Sequence, residues 1–241
     1  MNKFLGLNFN KSEIIKLDSN SFSFIIGKYL EPHKRYLRVI YVGANRGRFY
    51  DDLTAIYSES KICALLIEPI PECVKILEAK YNYTNLVTIC NKALSDRIES
   101  KDFFIYQYDE TSSLLKIKND LKELKDIKTD PIKSIKLVTD TLDNIVQRSP
   151  FLNERNDILK IDVQGFEDKV LKGASKTLIN TKYVWVEVSF KALYNGTCLF
   201  SDIHNILTES GFILLEIADG HRSSENELLQ ANCLFMNNTI V

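Results

Sequence analysis

The sequence predicts an α/β fold in which a doubly wound, seven-stranded sheet forms a single domain over residues 1–241. Short β-branched runs alternate with helical stripes from Val39 onward. Buried strands that are joined by helices require a parallel sheet with right-handed crossovers. The last two apolar runs have no helical pattern between them, and such a pair favours an antiparallel strand at the end of the sheet.

The first half of the chain supplies three strands and two helices. The strands are Arg38–Asn45, Cys63–Pro69 and Leu86–Cys90. Pro71 suits the first turn of the second helix, where an N–H has no intrahelical partner. The inner faces of the two helices follow the 3.6-residue period and consist of Phe49, Leu53, Ile56 and Tyr57, then Val74, Leu77 and Tyr81.

The second half continues the same alternation and supplies four more strands. A helix stripe at steps of four separates the first two strands, and a second stripe ends near Gly211, where a glycine beyond a helix end is expected. The stripes are Phe166, Val170, Ala174 and Leu178, then Phe200, Ile203 and Leu207. The strands are Asp157–Gly165, Tyr183–Val188, Phe212–Ala218 and Asn232–Asn237.

Three segments lie outside this frame. Residues 1–36 form an N-terminal helical extension whose apolar face packs on the domain. Residues 103–108 are compatible with an extra strand. Residues 109–136 form a lysine-rich insert, since Lys116–Lys136 carries seven lysines against four acidic residues. Ile117, Leu121 and Leu124 follow helical spacing within the insert. The segment is therefore either a solvated surface helix or a lid over an acceptor site.

Composition excludes several classes of protein. The net charge of -1, from 31 basic and 32 acidic residues, gives no footprint for a nucleic-acid partner. No apolar run approaches the length of a membrane span, and no signal-peptide pattern opens the sequence. Five scattered cysteines without CxxC spacing fit a reduced, cytoplasmic protein better than a disulfide framework or a zinc site. His204 lies beside the apolar stripe of Phe200, Ile203 and Leu207 and is not part of it, so we interpret it as a surface or packing residue.

The first strand ends in a glycine turn at Gly43, Asn45 and Gly47. Ligands of open α/β sheets bind at the carboxyl ends of the strands. A dinucleotide fold requires glycine at the second of these positions, so that the backbone approaches a pyrophosphate. Asn45 stands there instead, which favours a donor without a phosphate, such as S-adenosylmethionine. A turn with a purely structural role is the alternative.

The second strand ends in Glu68. A carboxylate at this place accepts hydrogen bonds from both hydroxyls of a ribose, which indicates an adenosine-type cofactor without choosing between nicotinamide and S-adenosylmethionine. Together with Asn45, the choice leans to S-adenosylmethionine. The alternative is that Glu68 interacts only with the start of the following helix near Pro71.

The order of several motifs resembles the FkbM family of methyltransferases across residues 39–236. KIDVQGFE at residues 160–167, followed by LKGA at 171–174, is the most specific part; the others are VGANRG, IEP, NKALSD, SSL, TLD and VEV. The resemblance implies a Rossmann-like class I methyltransferase fold, S-adenosylmethionine as donor, and usually O-methylation of a sugar, polyketide or other metabolite. It places Gly43, Asn45 and Gly47 by the methionine, Glu68 on the ribose, and Asn91 and Ala93 by the adenine.

The chain departs from that family at Tyr41, where the family usually has an aspartate. An acid there would help to hold the amino group of methionine. A tyrosine accepts a hydrogen bond but brings no charge, so the resemblance leaves this contact to backbone carbonyls or another side chain.

The acceptor side involves the ends of the fourth and fifth strands. A hydroxyl loses its proton as it attacks the methyl group, so Asp162 or Glu187 is a candidate general base. Gln164 and Ser113 are candidate substrate-binding residues for a small-molecule or glycan acceptor. Asp162 could instead cap the next helix, and Glu187 could instead bind backbone. No third ligand accompanies the two carboxylates, so we expect no metal.

Two rival functions remain open at this point. An NAD-dependent oxidoreductase is disfavoured by Asn45 and by the lack of a Tyr-x-x-x-Lys pair after the fourth strand. A non-catalytic cofactor-binding or assembly module remains possible because Tyr41 replaces an acid.

Overall fold

The computed structural model describes residues 22–30, 36–119, 129–218 and 220–240. Its strands are β1 Leu37–Val42, β2 Ile62–Ile67, β3 Val87–Cys90, β4 Ser100–Ile105, β5 Lys133–Val138, β6 Asn156–Ile161, β7 Thr181–Ser189, β8 Phe212–Ile217, β9 His221–Arg222 and β10 Leu228–Asn237. Its helices are α1 Phe22–Gly27, α2 Arg48–Thr54, α3 Pro71–Tyr81, α4 Leu142–Gln147, α5 Glu167–Lys172, α6 Ser175–Ile179 and α7 Phe200–Glu209. Of these helices, none is long and apolar enough to cross a membrane.

The central sheet has the strand order β3-β2-β1-β6-β7-β10-β8, with β9 paired to the end of β10. The pairs among β3, β2, β1, β6 and β7 are parallel. The last strand is antiparallel as expected, but it lies between β7 and β8 and not at the end of the sheet. After β7, the chain passes through α7 and places β8 one strand position away from β7. It then turns back, and β10 occupies the position between them.

Alternate residues of each strand bury opposite faces of the sheet. Along β1, Ile40 and Val42 join the core beneath α4 to α7, whereas Val39 and Tyr41 join the core beneath α1 to α3. The N-terminal helix packs on this second face through Phe22, whose ring centroid lies 4.1 Å from that of Phe49. The described helix of the extension therefore packs on the sheet.

The predicted stripe over residues 166–178 is interrupted. It forms α5 and α6, which are separated at Gly173, and Phe166 precedes the first helix. A Cβ at Gly173 would lie 2.3 Å from the backbone oxygen of Ser95, so the chain passes too close to that segment for a side chain. The sequence pattern did not indicate this break, because the apolar residues keep helical spacing across it.

The described parts of the lysine-rich insert, residues 109–119 and 129–136, contain no α-helix. Its end forms β5, which pairs antiparallel with β4 as a separate two-stranded sheet. Ile117 is buried and forms a β-bridge with Tyr194. Ile117 packs in one cluster with Tyr106 and Tyr194, and Ile135 packs against the cluster of Phe103 and Ile105. The predicted stripe positions Leu121 and Leu124 lie outside the described residues.

Candidate active site

A cavity of about 240 Å³ opens at the carboxyl ends of β1, β2 and β6. Apolar side chains cover one side of it, among them Ile70, Phe103, Leu114 and Phe166, which pack into one cluster. Carboxylates and backbone line the other side. The predicted site residues among its lining are Gly43, Asn45, Glu68, Ala93, Asp162 and Gln164.

The glycine turn is built from left-handed backbone. The φ angles are +80° at Gly43, +45° at Asn45 and +85° at Gly47. A Cβ at Gly43 would lie 1.8 Å from the backbone oxygen of Asp162, so this glycine lets β1 and β6 approach each other. Asparagine tolerates the left-handed region better than most residues, which explains how Asn45 replaces a glycine.

Gly47 lies outside the cavity lining and precedes α2. A Cβ there would lie 2.4 Å from the hydroxyl oxygen of Tyr81. The hydroxyl group of Tyr81 also donates a hydrogen bond of 2.8 Å to the Asp51 carboxylate. In the structure, Gly47 therefore serves the packing of α2 against α3.

Glu68 is buried at the end of β2, and both of its oxygens accept hydrogen bonds from backbone. Oε2 accepts from the N–H of Asn45 at 2.7 Å, and Oε1 accepts from the N–H of Ile70 at 2.9 Å. Burial raises the pKa of Glu68 to about 7, and these two hydrogen bonds oppose that shift. Each carboxylate oxygen retains a further lone pair, so the group can still accept a pair of ribose hydroxyls.

Asn91 and Ala93 follow β3 but differ in position. Ala93 lines the cavity. Asn91 lies outside the lining, and its Nδ2 donates to the backbone oxygens of Glu68 at 2.8 Å and Pro69 at 3.1 Å. Asn91 therefore fixes the backbone that carries Glu68.

Asp109 is a cavity residue that the sequence analysis missed. It begins a short 3₁₀ turn after β4, and its carboxylate accepts hydrogen bonds from Asn45 Nδ2 at 3.2 Å and from Arg46 Nη2 at 2.6 Å. Burial acts to raise the pKa of Asp109, but these hydrogen bonds and the charge of Arg46 outweigh it and lower the pKa. Its position after a strand was the available signal.

Tyr41 is buried, lines the cavity and remains uncharged. Its ring centroid lies 4.8 Å from that of Phe49. Burial, followed by the charges of Asp162 and Glu68, raises the pKa of Tyr41 well above its ordinary value. The phenol is therefore a neutral polar group beside the cavity, where an aspartate would have brought a charge.

Asp162 is bound by its neighbours through both oxygens. Lys160 Nζ lies 3.1 Å from Oδ2, and Gln164 Nε2 donates to Oδ1 at 2.8 Å. Lys160 is itself buried and also donates to Asn232 Oδ1 at 3.1 Å. Two donors, Lys160 and Gln164, therefore orient the Asp162 side chain.

Glu187 lies on the next strand and is bound differently. Its Oε2 accepts from Gln164 Nε2 at 2.8 Å and from Gln230 Nε2 at 3.1 Å. Within the described part of the chain, Oε1 has no hydrogen-bond partner. Burial, followed by the charge of Asp162, raises the pKa of Glu187 well above its ordinary value, and Lys160 opposes that shift.

Gln164 bridges the two carboxylates and lines the cavity, but its amide is fully engaged. Besides the two bonds from Nε2, its Oε1 accepts from the hydroxyl group of Tyr194 at 2.9 Å. Ser113, the other predicted substrate residue, is buried outside the lining and donates to the Gln164 backbone oxygen at 2.8 Å. The adjacent Ser112 lines the cavity instead. Both predicted residues thus shape the loop after β6.

The described residues hold neither a cluster of metal ligands nor a disulfide. They contain no group of three or more His, Cys, Asp or Glu side chains that could hold a metal ion. The thiols of Cys63, Cys73, Cys90, Cys198 and Cys233 are all free.

The described geometry agrees with a family model. Residues 42–214, which carry the glycine turn, Glu68, Asp162 and Glu187, match the methyltransferase FkbM domain. The chain belongs to the FkbM methyltransferase family. The family is the one that the motifs indicated, and membership in it favours a methyltransferase over the oxidoreductase alternative.

Individual proteins share little sequence identity with this member of the FkbM family. The 2-O-methyltransferase NoeI of Sinorhizobium fredii is 26% identical over 165 residues, which are 66% of this chain and 65% of NoeI, so the chain spans less than two thirds of that relative. Fibrillarin of Methanococcus jannaschii has 13% identity and a TM-score of 0.51, covering 91% of this chain and 76% of fibrillarin. The CurJ carbon methyltransferase has 10% identity and a TM-score of 0.51, covering 89% and 52%. The structural likenesses show the class I methyltransferase fold.

Proposed function

We propose that this enzyme transfers a methyl group from S-adenosylmethionine to a hydroxyl group of a carbohydrate or other metabolite, with Glu187 as the general base. The observation that carries the proposal is the free Oε1 of Glu187 beside an Asp162 whose two oxygens are already bound. The name of the relative NoeI, a 2-O-methyltransferase, supports transfer to oxygen.

The cavity residues fit the donor. Glu68 offers acceptor capacity to a ribose, and the cluster of Ile70, Phe103, Leu114 and Phe166 offers an apolar surface to a flat base. The carboxylates of Asp109 and Asp162 bring negative charge to the side that would receive the cationic methionine end. When bound, S-adenosylmethionine supplies an electrophilic methyl group on its sulfonium centre.

Glu187 is the better base of the two sequence candidates. Both oxygens of Asp162 already accept a hydrogen bond, from Lys160 and from Gln164, so a substrate hydroxyl would have to share an oxygen with one of these donors. Glu187 keeps one oxygen available, and its raised pKa makes it a stronger base once ionised. Asp162 then orients Gln164 and Lys160, which hold the network around Glu187.

Glu187→Gln keeps the shape of the side chain and removes its basicity. We expect the rate of methyl transfer to fall by at least about 10², which is the lower end of what a general base contributes. Donor affinity, measured by calorimetry, should remain unchanged. Because burial raises the pKa of Glu187, the rate of the unchanged enzyme should rise with pH through the pKa of this group, and the variant should lose that rise.

The control for this experiment is Glu225→Gln, an exposed carboxylate near the end of the chain. Transfer from labelled S-adenosylmethionine to a mixture of oligosaccharides provides the readout. Near-normal transfer by Glu187→Gln, with a large loss in Asp162→Asn, would return the role of base to Asp162.

A further inference from the structure

We propose that Gln230 and Asn232 on β10 form the acceptor-binding surface of this enzyme and recognise adjacent hydroxyl groups of a sugar ring. The proposal rests on the proposed function, because it places the acceptor beside Glu187. The supporting observations are strand register, hydrogen bonding and the hydrogen-bonding atoms that remain free.

The register brings these side chains to one face of the sheet. In the antiparallel pair of β10 with β7, Asn232 lies opposite Glu187, and Gln230 lies opposite Ser189. Directly opposed residues project to the same face, and so do residues two positions apart on one strand. Glu187, Gln230 and Asn232 therefore form a contiguous polar surface at the carboxyl end of β7, and all three are half-buried.

The neighbours of the two amides fix their orientations. Gln230 must turn its NH₂ group to Glu187, because a carboxylate oxygen only accepts, and this contact measures 3.1 Å. Asn232 must turn its oxygen to Lys160, because an ammonium only donates, and this contact also measures 3.1 Å. Both orientations follow from the charges of the partners.

Complementary hydrogen-bonding groups remain. Among the described residues, Gln230 Oε1, Asn232 Nδ2 and Glu187 Oε1 have no hydrogen-bond partner. They offer an amide oxygen, an NH₂ group and a carboxylate oxygen on one surface. A hydroxyl group donates and accepts at once, so two neighbouring hydroxyls of a ring can engage the two amides while one of them presents its proton to Glu187.

The location of β10 suits a role in acceptor choice. The match to the family model ends at residue 214, whereas β10 spans Leu228–Asn237. Glu187 and the donor cavity lie within the matched part, but the two amides do not. The geometry thus joins a proton-accepting residue of the family domain to recognition residues from a strand outside the matched part.

Side-chain amide NMR spectroscopy tests the proposal directly. Protein labelled with ¹⁵N and loaded with S-adenosylhomocysteine is titrated with methyl α-mannopyranoside, methyl β-galactopyranoside and methyl α-fucopyranoside, with assignments from Gln230 and Asn232 variants. We expect at least one glycoside to shift both NH₂ signals. The signals of Gln147 and Asn180, which line a separate cavity of about 270 Å³, should remain unchanged.

Asn232→Asp provides a second measurement, since it keeps an oxygen for Lys160 and replaces the donating NH₂ group by an accepting oxygen. We expect it to weaken glycoside binding at least about tenfold, a loss of about 1.4 kcal/mol, while Asn180→Asp leaves binding unchanged. Shifts confined to other residues, no shift with any of the three glycosides, or full affinity in Asn232→Asp would overturn the proposal. A glycoside that binds here but receives no methyl group would instead contradict the proposed function.

Discussion

Individual carboxylates of the site differ because the chain gives them different partners. Glu68 is held by two backbone N–H groups, Asp162 by a lysine and an amide, and Glu187 by two amides on one oxygen only. A group held by backbone is suited to binding a neutral diol, and a group with a free oxygen is suited to accepting a proton.

Glu68→Ala should weaken the binding of S-adenosylmethionine. Each hydrogen bond to a charged group contributes about 1.5–3 kcal/mol, so loss of one such bond corresponds to a roughly 10- to 150-fold increase in the dissociation constant. Calorimetry on the folded variant measures this. Glu72→Ala, at an exposed carboxylate on the first turn of α3, should bind normally. Equal affinity in both variants would remove Glu68 from the donor site.

Sequence reasoning could place the residues that follow regular strands. Gly43, Asn45 and Glu68 were accessible because a strand end in an open α/β sheet marks the binding edge. Asp109 and Lys160 were not singled out, since one follows a strand outside the main frame and the other lies within an apolar run. The engagement of Gln164 by Tyr194 depends on a contact between distant segments, which no local pattern encodes.

At the scale of elements, the site depends on how closely β1 and β6 approach each other. Gly43 lies where the backbone oxygen of Asp162 crosses the end of β1. The two strands pair in parallel from Val39 and Ile158 to Val42 and Ile161, so a displacement at Gly43 would move both strand ends. The donor cavity and Asp162 are thereby coupled through the backbone.

Gly43→Ala and Gly196→Ala form a matched pair, because both glycines have a φ angle of +80°. A Cβ at Gly196 meets no atom within 4 Å, whereas at Gly43 it would collide with the backbone of Asp162. We expect Gly196→Ala to lower the free energy of unfolding by about 1–2 kcal/mol, which is the cost of left-handed backbone for a residue with a Cβ. Gly43→Ala should lower the free energy of unfolding, measured by urea denaturation, by clearly more than this. It should also bind S-adenosylmethionine less tightly. Equal losses would show that the close approach does not constrain the fold.

The elements themselves were largely predictable. Seven strands, the helix faces and the antiparallel last strand followed from apolar periodicity. The break at Gly173, the helix α4 and the strand β5 were missed. In α4, Thr141 accepts a hydrogen bond from the Asn144 backbone N–H, so its capping position was a usable signal. In β5, the partly buried Ile135 and Leu137 alternate with exposed residues, and the strand lies in a charged stretch that conceals it.

For the whole molecule, we propose that the described residues form one domain around a sheet covered by helices on both faces. The same arrangement buries two carboxylates, Glu68 and Glu167, near the carboxyl edge. Glu167 Oε1 accepts from the backbone N–H groups of Val163 and Gly165 at 3.0 and 3.1 Å. Burial raises the pKa of each carboxyl to about 7, although hydrogen bonds oppose the shift.

Raised pKa values make the stability of the folded state depend on pH. The folded protein retains protons that the unfolded chain releases near pH 4.5, so these groups favour folding most at low pH. Their contribution to the free energy of unfolding declines as pH rises above about 4.5 and is lost as pH passes about 7. The total loss is at most roughly 3 kcal/mol per group. Glu167→Gln keeps an accepting oxygen and should lose less stability between pH 5 and pH 8 in urea unfolding. A pH dependence identical to that of the unchanged protein would contradict the raised pKa of Glu167.

The atom that receives the methyl group is the most direct test of the central claim. S-adenosylmethionine labelled with ¹³C in its methyl group is incubated with the enzyme and hydroxylated glycosides, and the products are analysed by ¹³C NMR spectroscopy. The account predicts a labelled methyl carbon bonded to oxygen, which is formed by the unchanged enzyme and reduced at least about 10²-fold by Glu187→Gln. A label bonded to nitrogen or carbon, or an oxygen-linked label that Glu187→Gln leaves unchanged, would contradict it.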